Sequence, residues 1–503
     1  MAALTGNSIA STYTGLLKTS DSGARGAEGS ADQCSDGAGN TIPLFVSATE
    51  VYAVGSGTGT SHTAFGKDCG VGLAAGTGNS LFGEGAGADL STGEHNVALG
   101  YHALYQGTTE TDDNVAIGYN AMSGAWTTAA VNDCVVIGSG AGAGALVATA
   151  SGAVAIGNTA LNGLTSGANN LAIGYNAAKT TTTGAQNLAI GPQALENHLT
   201  GQSNMAIGYL AMCNTNNGGS QNNSNDSDHN VFIGLLSGGG TWADAKSENN
   251  VAVGNYTMDA VMNAADGNTS VGYNTLTELT EGNGNSAIGL RSMDSVTTGN
   301  YNTAIGQDSL AGCQGGATNV AIGTTALYDV TSGDNNIGIG LDAGRTGSPG
   351  GIQTTGDNKI FFGDENITES NIQVDWTVAS DKRDKTDVND LDLGLEFLNK
   401  LNPITYKWDK RAKYIDKNKE SADLDNVTPD GTHKEDWLDI GFLAQDVEAI
   451  EVEYGHKIAD KTNLTTSCTD DGKQYGIQYS KFVPVLVKAI QELSAKVAAL
   501  ENA

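Results

Sequence analysis

Basic side chains are scarce in this sequence, 25 Lys and Arg against 56 Asp and Glu, for a formal net charge of −31. That deficit excludes a general nucleic-acid binder, because phosphate contacts need a basic surface. Proline is scarcer still, 6 residues beside 69 glycines, and the glycines follow no Gly-X-Y period, which excludes a collagen. No stretch approaches 18 continuous apolar residues, and Met1 to Ser20 hold no basic region followed by an apolar run, so neither a membrane span nor a secretion signal is expected. The six cysteines, Cys34, Cys69, Cys134, Cys213, Cys313 and Cys468, lie far apart, with no Cys-x-x-Cys spacing and no neighbouring His in a ligand pattern. They read as free thiols of a protein assembled in a reducing cytoplasm, with no metal site. Gly238-Gly239-Gly240 and Gly140-Ala141-Gly142 lack the Lys-Ser/Thr of a phosphate loop and read as turns, so no cofactor is expected.

What the chain does have is one pentapeptide, Asn187-Leu188-Ala189-Ile190-Gly191, repeated with small changes. Its copies close at Gly66, Gly83, Gly100, Gly118, Gly138, Gly157, Gly174, Gly191, Gly208, Gly234, Gly254, Gly272, Gly289, Gly306, Gly323 and Gly340, most often 17 residues apart. Asn stands four residues before each of these glycines except where His62, Cys134 and Ala153 replace it. Apolar residues alternate over a very short span, as at Val115, Ile117 and Tyr119, and Gly and Thr-Gly turns follow before a helix could complete three turns. Short strands are therefore expected. One such unit is too small to bury its own apolar residues, so units must stack at roughly 4.8 Å per coil, Ile over Ile and Asn over Asn. In that arrangement Ile190 belongs to a buried apolar column. The fold class is mainly β, a repetitive parallel β-solenoid or β-roll over residues 61–363.

The irregular steps, Gly208 to Gly234 and Gly234 to Gly254, are expected to bulge, with the polar run Asn214 to Asn230 as the main loop. Residues 1–60 lack the repeat; short strands at Ile9–Leu17 and Ile42–Val54 would cap the open end and serve attachment. Residues 364–379 read as a terminal strand and linker, Ile372-Gln373-Val374-Asp375-Trp376-Thr377-Val378 alternating so that Trp376 shields the last coil. Tyr101, Tyr119, Tyr175, Tyr209 and Tyr273 either pack between coils or line a surface able to stack on sugars. Asp112 and Asp113 read as solvated surface, with divalent-cation binding as the alternative. Glycosidase chemistry would need a carboxylate pair at a fixed separation, and nothing in the repeat fixes one.

The Asn-x-Ala-Ile-Gly-x-x-Ala pattern resembles the repeats of trimeric adhesin heads and of many phage tail fibres, in which coils from three chains pack side by side. The residues alone leave open a single-chain solenoid without partner chains. Near residue 380 the composition changes: residues 380–503 carry 17 Lys and Arg against 24 Asp and Glu, residues 1–379 carry 8 against 32. A domain boundary is expected there.

The last 124 residues hold four motifs: Ser380-Asp381-Lys382-Arg383-Asp384-Lys385, Leu401-Asn402-Pro403-Ile404-Thr405-Tyr406-Lys407-Trp408, Gly441-Phe442-Leu443-Ala444-Gln445-Asp446-Val447-Glu448, and Tyr479-Ser480-Lys481-Phe482-Val483-Pro484-Val485-Leu486. In order and spacing these resemble the endosialidase-type intramolecular chaperone, an auto-processing domain at the C-terminus of phage tail spikes and fibres. The polar stretch Asp416 to Glu435 departs from that pattern. From Ser480 onward, Val483, Leu486, Ile490, Leu493, Val497 and Leu500 step by 3 and 4 residues, the spacing of a coiled-coil seam, or of an amphipathic helix packed on its own domain. Val and Ile alternating with Leu favour two strands, whereas the resemblance implies three. A small α+β domain ending in a coiled-coil helix is expected.

The same resemblance implies cleavage between Ala379 and Ser380, with Ser380 as nucleophile and Lys385, five residues on, as its base. A serine hydroxyl reacts once a base takes its proton, and Lys serves only as a neutral amine, which burial or nearby cations such as Lys382 and Arg383 favour. Residues five apart share neither a helix face nor a strand face, so a turn must join the pair. The reading as a whole is a homotrimeric tail fibre, a virion protein assembled in the host cytoplasm. Its partners would be copies of itself, a host-surface receptor of glycan type, and the phage tail or an adaptor. The alternatives are a trimeric surface adhesin and a tailspike enzyme acting on host glycans.

Overall fold

The computed structural model describes residues 62–503 apart from 108–109, 127–129, 217–222, 418 and 420–422, and of the residues before 62 only four short strands. It falls into two compact units, Met1–Asn302 and Thr303–Ala503. The first unit begins with β1 (Lys18–Thr19), β2 (Asp32–Ser35), β3 (Thr41–Val46) and β4 (Val51–Tyr52), paired antiparallel in chain order. β4 then runs parallel to β5 (Thr63–Phe65), Tyr52 opposite Ala64, on the edge that the first coil would otherwise leave unpaired. The strand expected over Ile9–Leu17 lies outside the described residues, and Ile42–Val54 holds two strands rather than one.

From β5 to β17 (Ser286–Ile288) every strand has three residues and pairs in parallel with the next. Leu171, Ala172 and Ile173 lie opposite Leu188, Ala189 and Ile190, which lie opposite Met205, Ala206 and Ile207. Each repeat is thus one coil of a parallel β-solenoid. The glycine that closes the strand is demanded by the backbone: Gly191 has φ 127°, and a Cβ there would stand 2.5 Å from the carbonyl oxygen of Gly208 in the next coil.

The asparagine that opens the strand builds a buried ladder. Asn204 donates its backbone N–H to Asn187 Oδ1 at 3.0 Å, and its side-chain Nδ2 donates to the Ser227 carbonyl at 2.9 Å. Asn230 repeats both bonds one coil on, to Asn204 Oδ1 and to the Ser247 carbonyl. A buried amide left unpaired would cost about 1–3 kcal/mol, so the column is held by mutual satisfaction. The sequence exceptions fit it: His62 Nδ1 accepts the Asn79 N–H at 3.3 Å as an Asn oxygen would, and Cys134 N–H still donates to Asn114 Oδ1 at 3.0 Å. Ala153 offers no acceptor, and Asn170 keeps the regular bond to the Gly184 carbonyl and adds one to the Gly167 carbonyl.

One expectation is overturned. The buried column is not formed by the isoleucines but by the small residue between them: Ala287 is fully buried while Ile288 beside it is 44% exposed. In a three-residue strand only the middle side chain points inward, and the interior is narrow enough that this residue is usually Ala. Ile190 therefore lies half-buried on the outer face and Ala189 inside. Opposite the alanines stands a second buried column four residues after each closing glycine, including Leu104, Met122, Leu161, Leu195 and Met212.

These two columns exchange volume. Where the strand centre is larger, at Leu81, Val136 and Phe232, the facing position is Gly87, Gly142 and Gly238, and a Cβ there would come within 3.0, 3.2 and 2.6 Å of the larger side chain. Trp242 packs edge-on against Phe232 and donates its indole N–H to the Gly238 carbonyl at 3.1 Å. The loop expected over Asn214–Asn230 falls partly outside the described residues. Its described part is not simply extruded, since Thr215, Ser224, Ser227 and Asn230 are buried and a short 3-10 turn spans Asn223–Asp226.

The second unit contains coils of the same kind, from β18 (Thr303–Ile305) to β21 (Ile360–Phe362). Residues 364–379 form no strand: Trp376 is 74% exposed, and Ile372, Val374 and Val378 are exposed with it. An extended segment with no neighbouring edge has no partner for its backbone groups. A small α+β region follows, with α1 (Leu395–Lys400), β22 (Ile404–Tyr406) antiparallel to β23 (Asp439–Gly441), α2 (Ala444–Glu453), β24 (Thr466–Cys468) antiparallel to β25 (Tyr475–Ile477), and α3 (Phe482–Glu501). Leu393, Phe397, Val447, Phe482 and Val485 form its core.

Candidate processing site and assembly surfaces

The turn needed to join Ser380 and Lys385 is a 3-10 turn over Lys382–Asp384. Asp381 caps it, accepting the Arg383 backbone N–H at 2.9 Å, and the Lys385 N–H closes it on the Lys382 carbonyl at 3.3 Å. Five residues of chain thus fold back on themselves, and Lys385 Nζ donates to Ser380 Oγ at 2.5 Å. Both side chains are exposed. Arg383, one of the two cations that could favour a neutral amine, is turned the other way: its Nε and Nη2 donate to the Asp381 carboxylate, at 2.6 Å for Nη2, and those bonds hold that carboxyl below its ordinary value. The geometry supplies a hydroxyl and an amine in contact, but one chain supplies no burial for them. A lysine acts as a base only as the neutral amine, which burial favours.

On α3 the helix meets its own domain through Phe482, Val485 and Ala489, and Glu492 accepts the Leu395 N–H at 2.9 Å. The six residues Val483, Leu486, Ile490, Leu493, Val497 and Leu500 lie on other positions and are 45 to 78% exposed. Domain packing and the heptad-spaced stripe are therefore separate faces of one helix. The coils also expose outward apolar positions, Leu99 and Ile288 in the first unit and Ile305, Ile322 and Ile339 in the second. The tyrosines that follow the closing glycines, Tyr101, Tyr119, Tyr175, Tyr209 and Tyr273, are exposed as well, with Tyr101 stacked on Tyr119 at 5.3 Å between centroids.

Elsewhere the side chains with chemical potential are quiet. Cys69, Cys134, Cys213 and Cys313 are buried free thiols, and burial pushes Cys69, Cys213 and Cys313 up to about 11. Asp112 Oδ1 accepts the Glu94 N–H of the preceding coil at 2.7 Å, and Asp113 faces His95 at 3.5 Å. Among the described residues no group of three metal-ligating side chains is gathered, and no helix is long and apolar enough to cross a membrane.

One cluster escapes a reading of motifs. Lys417, in the atypical stretch, reaches Glu365 at 2.5 Å and Asp342 at 3.3 Å. Arg345, which also pairs with Asp342 at 3.0 Å, donates from Nη2 to the Lys417 carbonyl at 3.0 Å. Burial pushes the Asp342 carboxyl up, yet the Thr325 hydroxyl, Lys417 and Arg345 together leave it below its ordinary value. The signal in the sequence was rarity alone, Arg345 being one of 8 basic residues among the first 379.

Residues 380–456 match the chaperone of endosialidase family. The matched segment holds the first three of the four C-terminal motifs, and Tyr479–Leu486 lies beyond it. No curated protein and no solved structure matches the chain. The family match and the parallel β-solenoid together fit a protein of the phage tail fibre or tailspike type.

Proposed function

We propose that this chain is a homotrimeric tail fibre that binds a host-surface glycan, carried on the virion by the phage tail or an adaptor, and assembled by a C-terminal chaperone that cuts itself off. The observation that carries the reading is the chaperone of endosialidase match at residues 380–456, set behind stacked β-coils. Exposed apolar positions support association between chains, the outward Ile of the coils and Val483, Leu486, Ile490, Leu493, Val497 and Leu500 on α3, while the number three rests on the family resemblance. Contiguous apolar surface of this kind marks sites of association.

The Ser380–Lys385 contact supports processing by the following steps. Lys385 takes the Ser380 hydroxyl proton as Oγ attacks the Ala379 carbonyl carbon; the Ala379–Ser380 C–N bond breaks, and the Ser380 amine receives the proton. Water then hydrolyses the Ala379–Oγ ester and restores the hydroxyl. The pair is exposed in one chain, so partner chains would supply the burial that favours a neutral Lys385, coupling cutting to assembly. The test is mass measurement of purified protein, native and denatured, beside Ser380→Ala and Lys385→Ala. Denatured wild type should give residues 1–379 and 380–503 as separate chains, native wild type should hold three copies of residues 1–379, and both variants should stay full length. A native monomer would overturn the assembly reading; a full-length wild type would overturn processing.

A further inference from the structure

The connection between β21 and the C-terminal domain is solvent-exposed throughout residues 366–390. Its contacts are local, such as Asn366 on Asp364, Asn371 on Glu369 and Lys385 on Ser380. The domain meets the last coils instead through non-covalent contacts made by residues distant in sequence: Lys359 pairs with Asp470, and a more covered cluster centres on Lys417. Lys417 Nζ sits between Glu365 and Asp342 with its side chain only 9% exposed, and the Glu365 side chain is equally covered. The Lys417 carbonyl accepts from Arg345 Nη2 at 3.0 Å, and Lys410 Nζ donates to the Glu365 carbonyl at 3.0 Å. Ala412 lies so close over Gly347 that a Cβ on that glycine would stand 2.4 Å from the alanine's.

A largely covered ammonium is tolerable only when its partners are in place, and truncating one member of such a cluster strands the rest. Asp342 follows β20 (Ile337–Ile339) and Glu365 follows β21, so Lys417 finds both carboxylates only after the last two coils have stacked.

We propose that Lys417 is a clasp that keeps the C-terminal domain seated on the terminal coils after the connecting chain is cut, so that cutting and release are separate events. The hold itself does not depend on who makes the cut; only its biological use rests on the processing reading above. The experiment uses the full chain in a Ser380→Ala background, with the recognition sequence of a site-specific protease placed within the exposed residues 369–375. After cutting, gel filtration at low salt should find residues 380–503 co-eluting with the coils. Lys417→Met, which keeps the aliphatic stem and removes the charge, should raise the released fraction at least tenfold. Glu365→Gln, which keeps shape and removes the opposing charge, should do the same if Lys417→Met fails to fold, as judged by circular dichroism of the uncut chain. Spontaneous departure of the fragment from the cut parent would overturn the proposal, as would retention unchanged in a folded variant. An uncut wild type on a denaturing gel would speak against self-processing alone, because the engineered cut still reads the clasp.

Discussion

At the scale of single residues, the solenoid's interior fixes a protonation state. His198 is fully buried, Nδ1 2.8 Å from the Thr215 hydroxyl and Nε2 3.2 Å from Asn204 Nδ2. The Thr215 hydroxyl donates to the Asn197 carbonyl, so it accepts from Nδ1–H, and Nε2 accepts from the asparagine amide. A second proton on Nε2 would point at a donor already committed to the Ser227 carbonyl. Burial accordingly lowers His198 from its ordinary 6.5 to about 4. Because the unfolded chain binds that proton first, stability is complete above pH 6.5 and falls as the pH drops toward 4, by on the order of 3 kcal/mol at pH 4. Thermal melts of wild type between those values should show the fall, and His198→Gln should flatten it; an identical slope in the variant would remove His198 as its source. Nothing in the sequence distinguished this histidine from the other six, since its burial comes from the coil below. Gly191 was legible, by contrast, because a backbone requirement at φ 127° recurs wherever the coil recurs.

At the scale of the coil, the repeat's period and register, and the shortness of its strands, were readable from Asn187–Gly191 and its neighbours, whereas the inward face was not. Val115 and Ile117 alternate as a buried strand would, and hydrophobicity alone assigns them to the core. The narrow interior reverses this, admitting Ala116 and turning the larger pair outward. Volume exchange between Phe232 and Gly238 gives this reading a direct check. Phe232→Ala should cost about 3–5 kcal/mol as a core cavity. Adding Gly238→Leu should recover part of that loss, since leucine occupies the corresponding position at Leu195 with φ 52°. Recovery stays partial because Trp242 also leans on the lost ring. Differential scanning calorimetry should therefore order wild type above the double variant and the double variant above Phe232→Ala; a double variant no better than the single one would mean that the two columns do not share space.

For the whole molecule, each coil pairs only with its neighbours in the chain, so an incomplete stack always ends on an open strand edge that can take a wrong partner. Removing residues 380–503 should leave the remaining chain insoluble or monomeric, measured by sedimentation of residues 1–379 expressed alone. A soluble trimer from that fragment would show that the coils assemble unaided. The C-terminal domain was the most legible part, because its motifs are local strings, Ser380–Lys385 among them. The seat of that domain was not, because Lys417, Asp342 and Glu365 lie in three segments that only folding brings together. One consequence of the asparagine ladder reaches beyond stability. Where asparagine follows asparagine, one rung offers the next coil the same oxygen and takes the equivalent carbonyl, so excising the 17 residues Tyr175–Gly191 would present Asn204 to Asn170 instead of Asn187 without altering the bond. Length in such a chain comes in quanta: recombination can add or drop whole coils between near-identical stretches, while the segments before and after the repeat stay untouched.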